Sequence, residues 1–337
     1  MPGDSRDLPV TVLGGYLGAG KTTLLNHLLR HAGGRRIAVL VNDFGEIAID
    51  AALIESRDGD VLSLAGGCVC CSIGSDLVGA LRGVVGRRPE VDHVVIETSG
   101  VALPHAVAAA ITLVPGAAVD AIVVVADAAT VRARARDRYV GDVVTAQLAA
   151  ADLLVVASRD LVDDAEAASL GGWLKTVGKD APIVEAVRGA VPPEVIVGMP
   201  GRARTPAQPA ISPAAAASPR PLSIAGTDPI RLGARPGTAA DQRFAQASRR
   251  LDCRHDPHRL AAALAAPALG LLRAKAIVRD GRGVAHVVQL AGARCEVAPL
   301  GPAASREDDR SFGLIGIGLR DRLDEAGIDA ALAASRL

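Results

Sequence analysis

Gly15-Tyr16-Leu17-Gly18-Ala19-Gly20-Lys21-Thr22 is a complete G-x-x-x-x-G-K-[ST] phosphate loop. Glycines at 15, 18 and 20 allow positive φ and remove Cβ atoms, so consecutive backbone N–H groups can wrap a phosphate at the positive end of a following helix. In this chemistry Gly15, Gly18, Ala19 and Gly20 cradle the phosphates and Thr23 continues the contact from the first helical turn. Lys21 reaches the β and γ oxygens, and the Thr22 hydroxyl ligates Mg²⁺. Lysine occurs elsewhere only at 175, 179 and 275, the remaining positive charge being arginine, so a compact ammonium was kept at the one place where a planar guanidinium fits poorly. The pattern calls for a nucleoside triphosphate.

Two further groups could do chemistry. Cys68-Val69-Cys70-Cys71 follows Gly66-Gly67; in an extended chain Cys68 and Cys70 share a face that Cys71 opposes, and a turn at the glycines lets all three converge. Three thiolates make a soft site for Zn²⁺ or Co²⁺ with a coordination position left open, which suits metal transfer or sensing. His93-Val94-Val95-Ile96-Glu97 is an apolar run ending in an acid, and an acid at a strand's C-terminal end beside a phosphate loop holds Mg²⁺ directly or through water. Lys21, Thr22 and Glu97 are the expected catalytic set. Cys253-x-His255-x-x-His258 has metal-binding residue types, but Asp256-Pro257 reads as the start of a helix and the spacing matches no closed zinc pattern. Arg132 to Arg138 reads as a solvated helix face.

Apolar strand-like runs near residues 8–13, 36–42, 60–64, 92–97, 119–126, 152–158 and 182–187 alternate with helical stretches. Continuous runs such as Ala121-Ile122-Val123-Val124-Val125 suit a mostly parallel sheet covered on both faces, so residues 1–195 read as a doubly wound α/β P-loop domain. Residues 196–240 turn to Pro, Ala, Gly and Arg and are expected to form a disordered linker. Residues 241–337 read as a smaller α+β domain, with a helix at 257–264, strands at 271–279, 286–290 and 312–319, and a last helix over 320–334.

Composition narrows the classes. Lys+Arg and Asp+Glu are 37 each, which offers no bulk attraction to nucleic acid or an acidic membrane surface. No apolar run reaches membrane-spanning length, the first residues lack a leader pattern, and five cysteines fit reduced thiols, so a cytoplasmic protein is expected.

The order of phosphate loop, Asn42-Asp43-Phe44-Gly45-Glu46, Cys68-x-Cys70-Cys71 and Glu97-Thr98-Ser99-Gly100 resembles the CobW-type metallochaperone GTPases, relatives of HypB and UreG. Leu271 to Ala276 and Leu314 to Gly318 are similar to that family's second domain. The resemblance implies GTP binding with slow hydrolysis, Mg²⁺ at Thr22 and Glu97, a transition metal at Cys68, Cys70 and Cys71, and a client protein that receives it; a homo-oligomer is a separate expectation that the sequence leaves open. Residues 42–50 resemble the first switch, with Asp43 where relatives carry Glu as a further metal candidate. The chain departs from the family at the base: Ala157-Ser158-Arg159-Asp160 replaces Asn-Lys-x-Asp and keeps only Asp160, whose carboxylate would accept from guanine N1–H and its exocyclic amine. Weaker or less selective guanine binding is expected. A non-hydrolysing metal sensor or scaffold and a small-molecule kinase or ATP-dependent ligase are the other readings.

Overall fold

The computed structural model describes residues 7–42, 61–64, 76–87, 90–198, 243–251, 253–300 and 312–337. Asp43, the cysteines at 68, 70 and 71 and most of the expected linker lie outside them.

In the first domain β1 (Leu8–Gly14), β2 (Ile37–Asn42), β3 (Val61–Leu64), β4 (His93–Glu97), β5 (Ala117–Asp127), β6 (Leu153–Ala157) and β7 (Ile183–Glu185) pair in the order β3-β2-β4-β1-β5-β6-β7. Every pairing among these described strands is parallel. Alternate residues serve opposite faces: Ile122 and Val124 of β5 join one core, Ala121, Val123 and Val125 the other. The first core is closed by helices α2 (Asp76–Gly86), α3 (Pro104–Ile111), α5 (Gly141–Ala149) and α6 (Asp164–Val177). Leu24, Leu25 and Leu28 of α1 (Lys21–Arg30) and Val195 and Ile196 of α7 (Pro193–Val197) close the second. A short α4 (Val131–Ala135) precedes α5.

The second domain is an antiparallel sheet in the order β11-β10-β9-β12-β8, from β8 (Phe244–Arg250), β9 (Leu271–Arg279), β10 (Ala285–Ala291), β11 (Arg294–Pro299) and β12 (Gly313–Leu319). Helices α8 (Pro257–Leu264) and α9 (Glu325–Ala334) pack on it through Leu260, Leu264, Ile328 and Leu332. The last helix begins at Glu325 and not at residue 320, because the Asp324 carboxylate accepts from the Gly327 N–H at 2.9 Å and caps it there. Strands β8 and β11 are additions to the sequence reading.

Phe244, Leu272, Ala291 and Ile317 of the second domain enter the α1 and α7 core of the first. At this junction the β1–β5 register slips, with Val10 opposite Val119 and Thr11 opposite Ala121, so Asp120 is the extra residue of a bulge. Asp120 Oδ2 accepts from Arg273 Nη1 at 2.8 Å and from the Thr11 hydroxyl at 3.3 Å, while Thr11 Oγ1 meets His93 Nε2 at 2.8 Å. Arg273 is 2% exposed and also donates through Nε to Val195 O at 2.8 Å and through Nη2 to Ile196 O. Burial alone would raise the Asp120 carboxyl, but the Arg273 charge, His93 and hydrogen bonds from Arg273 and Thr11 outweigh it and hold it below the usual range. The β10–β11 turn adds a main-chain contact, Ala293 N–H to Asp152 O at 3.0 Å.

Two outcomes follow from this junction. Replacing Arg273 by Ala strands a buried carboxylate, so chemical denaturation of R273A should show a loss of about 3–5 kcal/mol; a loss below ~1 kcal/mol would contradict the pairing. His93 is held neutral, its pKa lowered to about 4 first by burial. The unfolded chain then binds the proton first, so stability falls as pH drops from the unfolded value near 6.5 to about 4, by about 3 kcal/mol at 1.36 per unit. His93→Gln should flatten that limb of the stability curve, and an unchanged limb would show that His93 does not set it.

Candidate nucleotide site

The phosphate loop leaves β1 at the middle of the sheet, with β4 and β5 on either side. That is the switch point where open α/β sheets bind ligands at the carboxyl ends of their strands. Gly15, Gly18 and Gly20 have φ of 136°, 75° and 98°, values that side chains rarely adopt. A Cβ at Gly15 would lie 2.4 Å from Val125 O, so glycine there lets the loop press onto β5. Gly20 is the residue before α1, and the N–H groups of the loop and first turn converge there with the positive helix end. Lys21 is 7% exposed, and its Nζ donates to Gly15 O at 3.0 Å, which holds the ammonium over the loop.

The acid stands where the sequence placed it. Leu13 pairs with Glu97 across the β1–β4 ladder, and Thr98 is stapled to β1 by its N–H to Leu13 O at 2.9 Å. Glu97 is 2% exposed, and its Oε1 accepts from the Thr22 hydroxyl at 3.3 Å. Two hard oxygens thus meet beside the loop, a donor set that suits Mg²⁺.

Gly100, so far only a motif position, and Gln147, unread in the sequence, also contribute. A Cβ at Gly100 would fall 2.5 Å from Leu17 Cδ2 and 2.7 Å from Leu17 N, so glycine there admits the phosphate loop. Gln147, 1% exposed on α5, donates from Nε2 to Gly100 O at 3.0 Å and to Ala102 O at 2.8 Å, pinning the segment that follows Glu97. The signal for Gln147 was an uncharged polar residue at an otherwise buried helix position, beside Val144 and Leu148. Arg134, read as part of a solvated face, lies 5.6 Å over the Tyr16 ring and lines a cleft with Leu17, Ala19, Asp127 and Gln147.

The far end of the site is built from the end of β6. Ser158 turns the chain with φ of 56° into a 3-10 turn, Arg159–Leu161, that presents an exposed Asp160. Ala157 Cβ would be 3.4 Å from a Cβ at Gly20, so the end of β6 that leads into this turn abuts the phosphate loop. Arg159 is drawn to other partners, donating to Val162 O at 2.9 Å and pairing with Asp164 and Glu185. Asp160 therefore stands without help from its neighbouring arginine.

Residues 9–185 match the family described as CobW/HypB/UreG, nucleotide-binding domain. The chain belongs to this family. Residues 245–336 match the cobalamin synthesis protein CobW C-terminal domain, so the CobW pattern covers both folded units. The chain is 38% identical over 228 residues to a zinc chaperone CobW of Pseudomonas aeruginosa, an overlap of 57% of this chain and 60% of that protein. It is 30% identical over 221 residues to a zinc chaperone CobW of a Sinorhizobium species, an overlap of 57% and 62%. The chain spans about three fifths of the length of these two relatives. A Zn(II)-bound YjiA GTPase from Escherichia coli aligns over 98% of this chain and 100% of its own at 20% identity with a TM-score of 0.40. No helix among the described residues is long and apolar enough to cross a membrane.

The Gly100 contact is open to test. Gly100→Ala should weaken nucleotide binding at least about tenfold, since it displaces Leu17 within the loop, whereas Gly171→Ala on α6, with open space around it, should leave binding intact and be neutral or stabilising by up to ~1 kcal/mol. Parental affinity in the Gly100 variant, by calorimetric titration, would contradict the close approach.

Proposed function

We propose that this chain is a GTP-binding and GTP-hydrolysing metallochaperone that takes a transition metal, Zn²⁺ or Co²⁺, at Cys68, Cys70 and Cys71 and passes it to a client protein according to its nucleotide state. The observation that carries the reading is the junction of Thr22 and Glu97 beside the phosphate loop, at 3.3 Å, in a chain of the CobW family. Thr22 and Glu97 are the residues that would hold Mg²⁺, which when bound would neutralise charge on the β and γ phosphates. Lys21 would release Gly15 O for phosphate oxygens, and Gly15, Gly18, Ala19, Gly20 and Thr23 would supply the main-chain cradle. Asp160 would read guanine alone, so selectivity over adenine rests on one carboxylate.

The metal side of the proposal comes from residue chemistry and family. Three soft donors in one short loop suit Zn²⁺ or Co²⁺, the two CobW relatives are named zinc chaperones, and Asp43 on the segment after β2 is a further oxygen donor. Delivery to a client follows from the open coordination position. Family membership favours this over the kinase or ligase reading, and a hydrolysis-silent sensor built on the same residues differs from it in turnover alone.

Each half has its own test. Titration with GTP and ATP in the presence of Mg²⁺ should show guanine preferred, and Asp160→Ala should abolish the preference while keeping phosphate binding; equal affinity of the parent chain for both nucleotides would overturn the guanine assignment. Thr22→Ala and Glu97→Gln should each lower single-turnover GTP hydrolysis by at least about tenfold. Absence of any GTP turnover in the parent chain, with or without metal, would favour the sensor.

A further inference from the structure

Cys253, His255 and Ser335 come together in the second domain from its two sequence ends. His255 is fully buried, and its Nδ1 lies 2.8 Å from Ser335 Oγ. The Ser335 hydroxyl spends its one proton on Leu332 O at 2.9 Å, so at the imidazole contact Oγ accepts and Nδ1 carries the hydrogen. Nε2 is then the ring's lone-pair nitrogen, and it faces Cys253 Sγ at 3.2 Å, within reach of the thiol proton. Main-chain bonds hold the arrangement from both sides: Asp256 N–H to Ser335 O at 2.8 Å, Leu337 N–H to Arg254 O at 3.1 Å, and His255 N–H to Arg279 O at 2.8 Å. Cys253 itself is only half-buried, so the residue borders solvent at this contact.

A nucleophile within reach of a base, with the base oriented by a third group, is the arrangement that activates a weak nucleophile. The other cysteine of this domain shows the contrast. Cys295 donates its S–H to Ala261 O at 3.5 Å, and burial pushes its thiol up, so among the described residues it has an acceptor for its proton but no imidazole beside it to remove it.

We propose that Cys253 is a base-assisted nucleophilic thiol that takes a covalent modification by exchange with low-molecular-weight disulfides. His255 Nε2 accepts the thiol proton as Sγ attacks one sulfur of the disulfide. The disulfide's S–S bond breaks, a new one forms to Cys253, and the departing thiolate takes the proton from His255 and leaves as a thiol. The disulfide is the oxidant, and atoms and electrons balance. This chemistry sits in the second domain and uses none of the residues of the nucleotide site.

The test uses the full chain with Cys68, Cys70 and Cys71 changed to Ser, which leaves two thiols. Exposure to oxidised glutathione, followed by peptide mass spectrometry, should place the first mixed disulfide on Cys253, with Cys295 slower by about tenfold or more. Ser335→Ala should slow Cys253 by a similar factor, and Ser335→Thr, which keeps the hydroxyl, should restore it. Cys295 reports folding in the same molecules, because a variant that merely loosened the domain would speed Cys295 rather than slow Cys253. Equal rates at the two thiols, an undiminished Cys253 rate in the Ser335→Ala variant, or a Cys253 rate in the Ser335→Thr variant no faster than in Ser335→Ala would overturn the proposal.

Discussion

The parallel register of β1 against β4, which sets Leu13 beside Glu97, is the constraint on which the rest of the site depends. One strand delivers the phosphate loop and the other the acid, so the Thr22 hydroxyl and the Glu97 carboxylate meet only if the two ladders stay in step. A slip of one residue would put the acid on the wrong face of the sheet. The chain spends several buried polar contacts on this register: the Thr98 N–H on Leu13 O, the Gln147 amide on Gly100 and Ala102, and the Thr11–His93 contact lower on the same two strands.

That lower contact ties the nucleotide domain to its companion. Thr11, His93 and the bulged Asp120 sit on β1, β4 and β5, the three strands whose far ends form the nucleotide site, and Arg273 reaches them from the second domain. A buried guanidinium with a carboxylate and two carbonyls as acceptors is costly to separate, so the two domains hold a definite orientation through chemistry that apolar packing alone would not specify.

Much of this was legible in the sequence where burial is two-sided. Strands β1, β2, β4, β5 and β6 read as near-continuous apolar runs because both of their faces are covered, and Lys21, Thr22 and Glu97 announced themselves through glycine spacing and a strand-terminal acid. Strands β8 and β11 did not read that way, since they are the edges of their sheet and alternate Gln246, Ser248 and Arg250 or Arg294 and Glu296 with smaller apolar residues. Contacts across 47 to 153 residues, such as Gln147 to Gly100 and Arg273 to Asp120, leave no local pattern at all. The cysteine loop remains a reading of residue types, because Cys68, Cys70 and Cys71 fall outside the described residues.

The central claim is that nucleotide state and metal capture are one equilibrium, in which Mg²⁺ and the γ-phosphate hold the segments around Asp43 and Glu97 and so set the affinity of the cysteine loop. Coupling of that kind is a free-energy difference, typically ~1–3 kcal/mol or roughly 5–150-fold in affinity. The most direct measurement is chelator competition for Zn²⁺ on the GTP-bound and the GDP-bound chain, with a non-hydrolysable GTP analogue holding the first state. The account predicts dissociation constants that differ by at least about fivefold between the two states and a difference that vanishes when Cys68, Cys70 and Cys71 are changed to Ser. Equal zinc affinity in both states would contradict it.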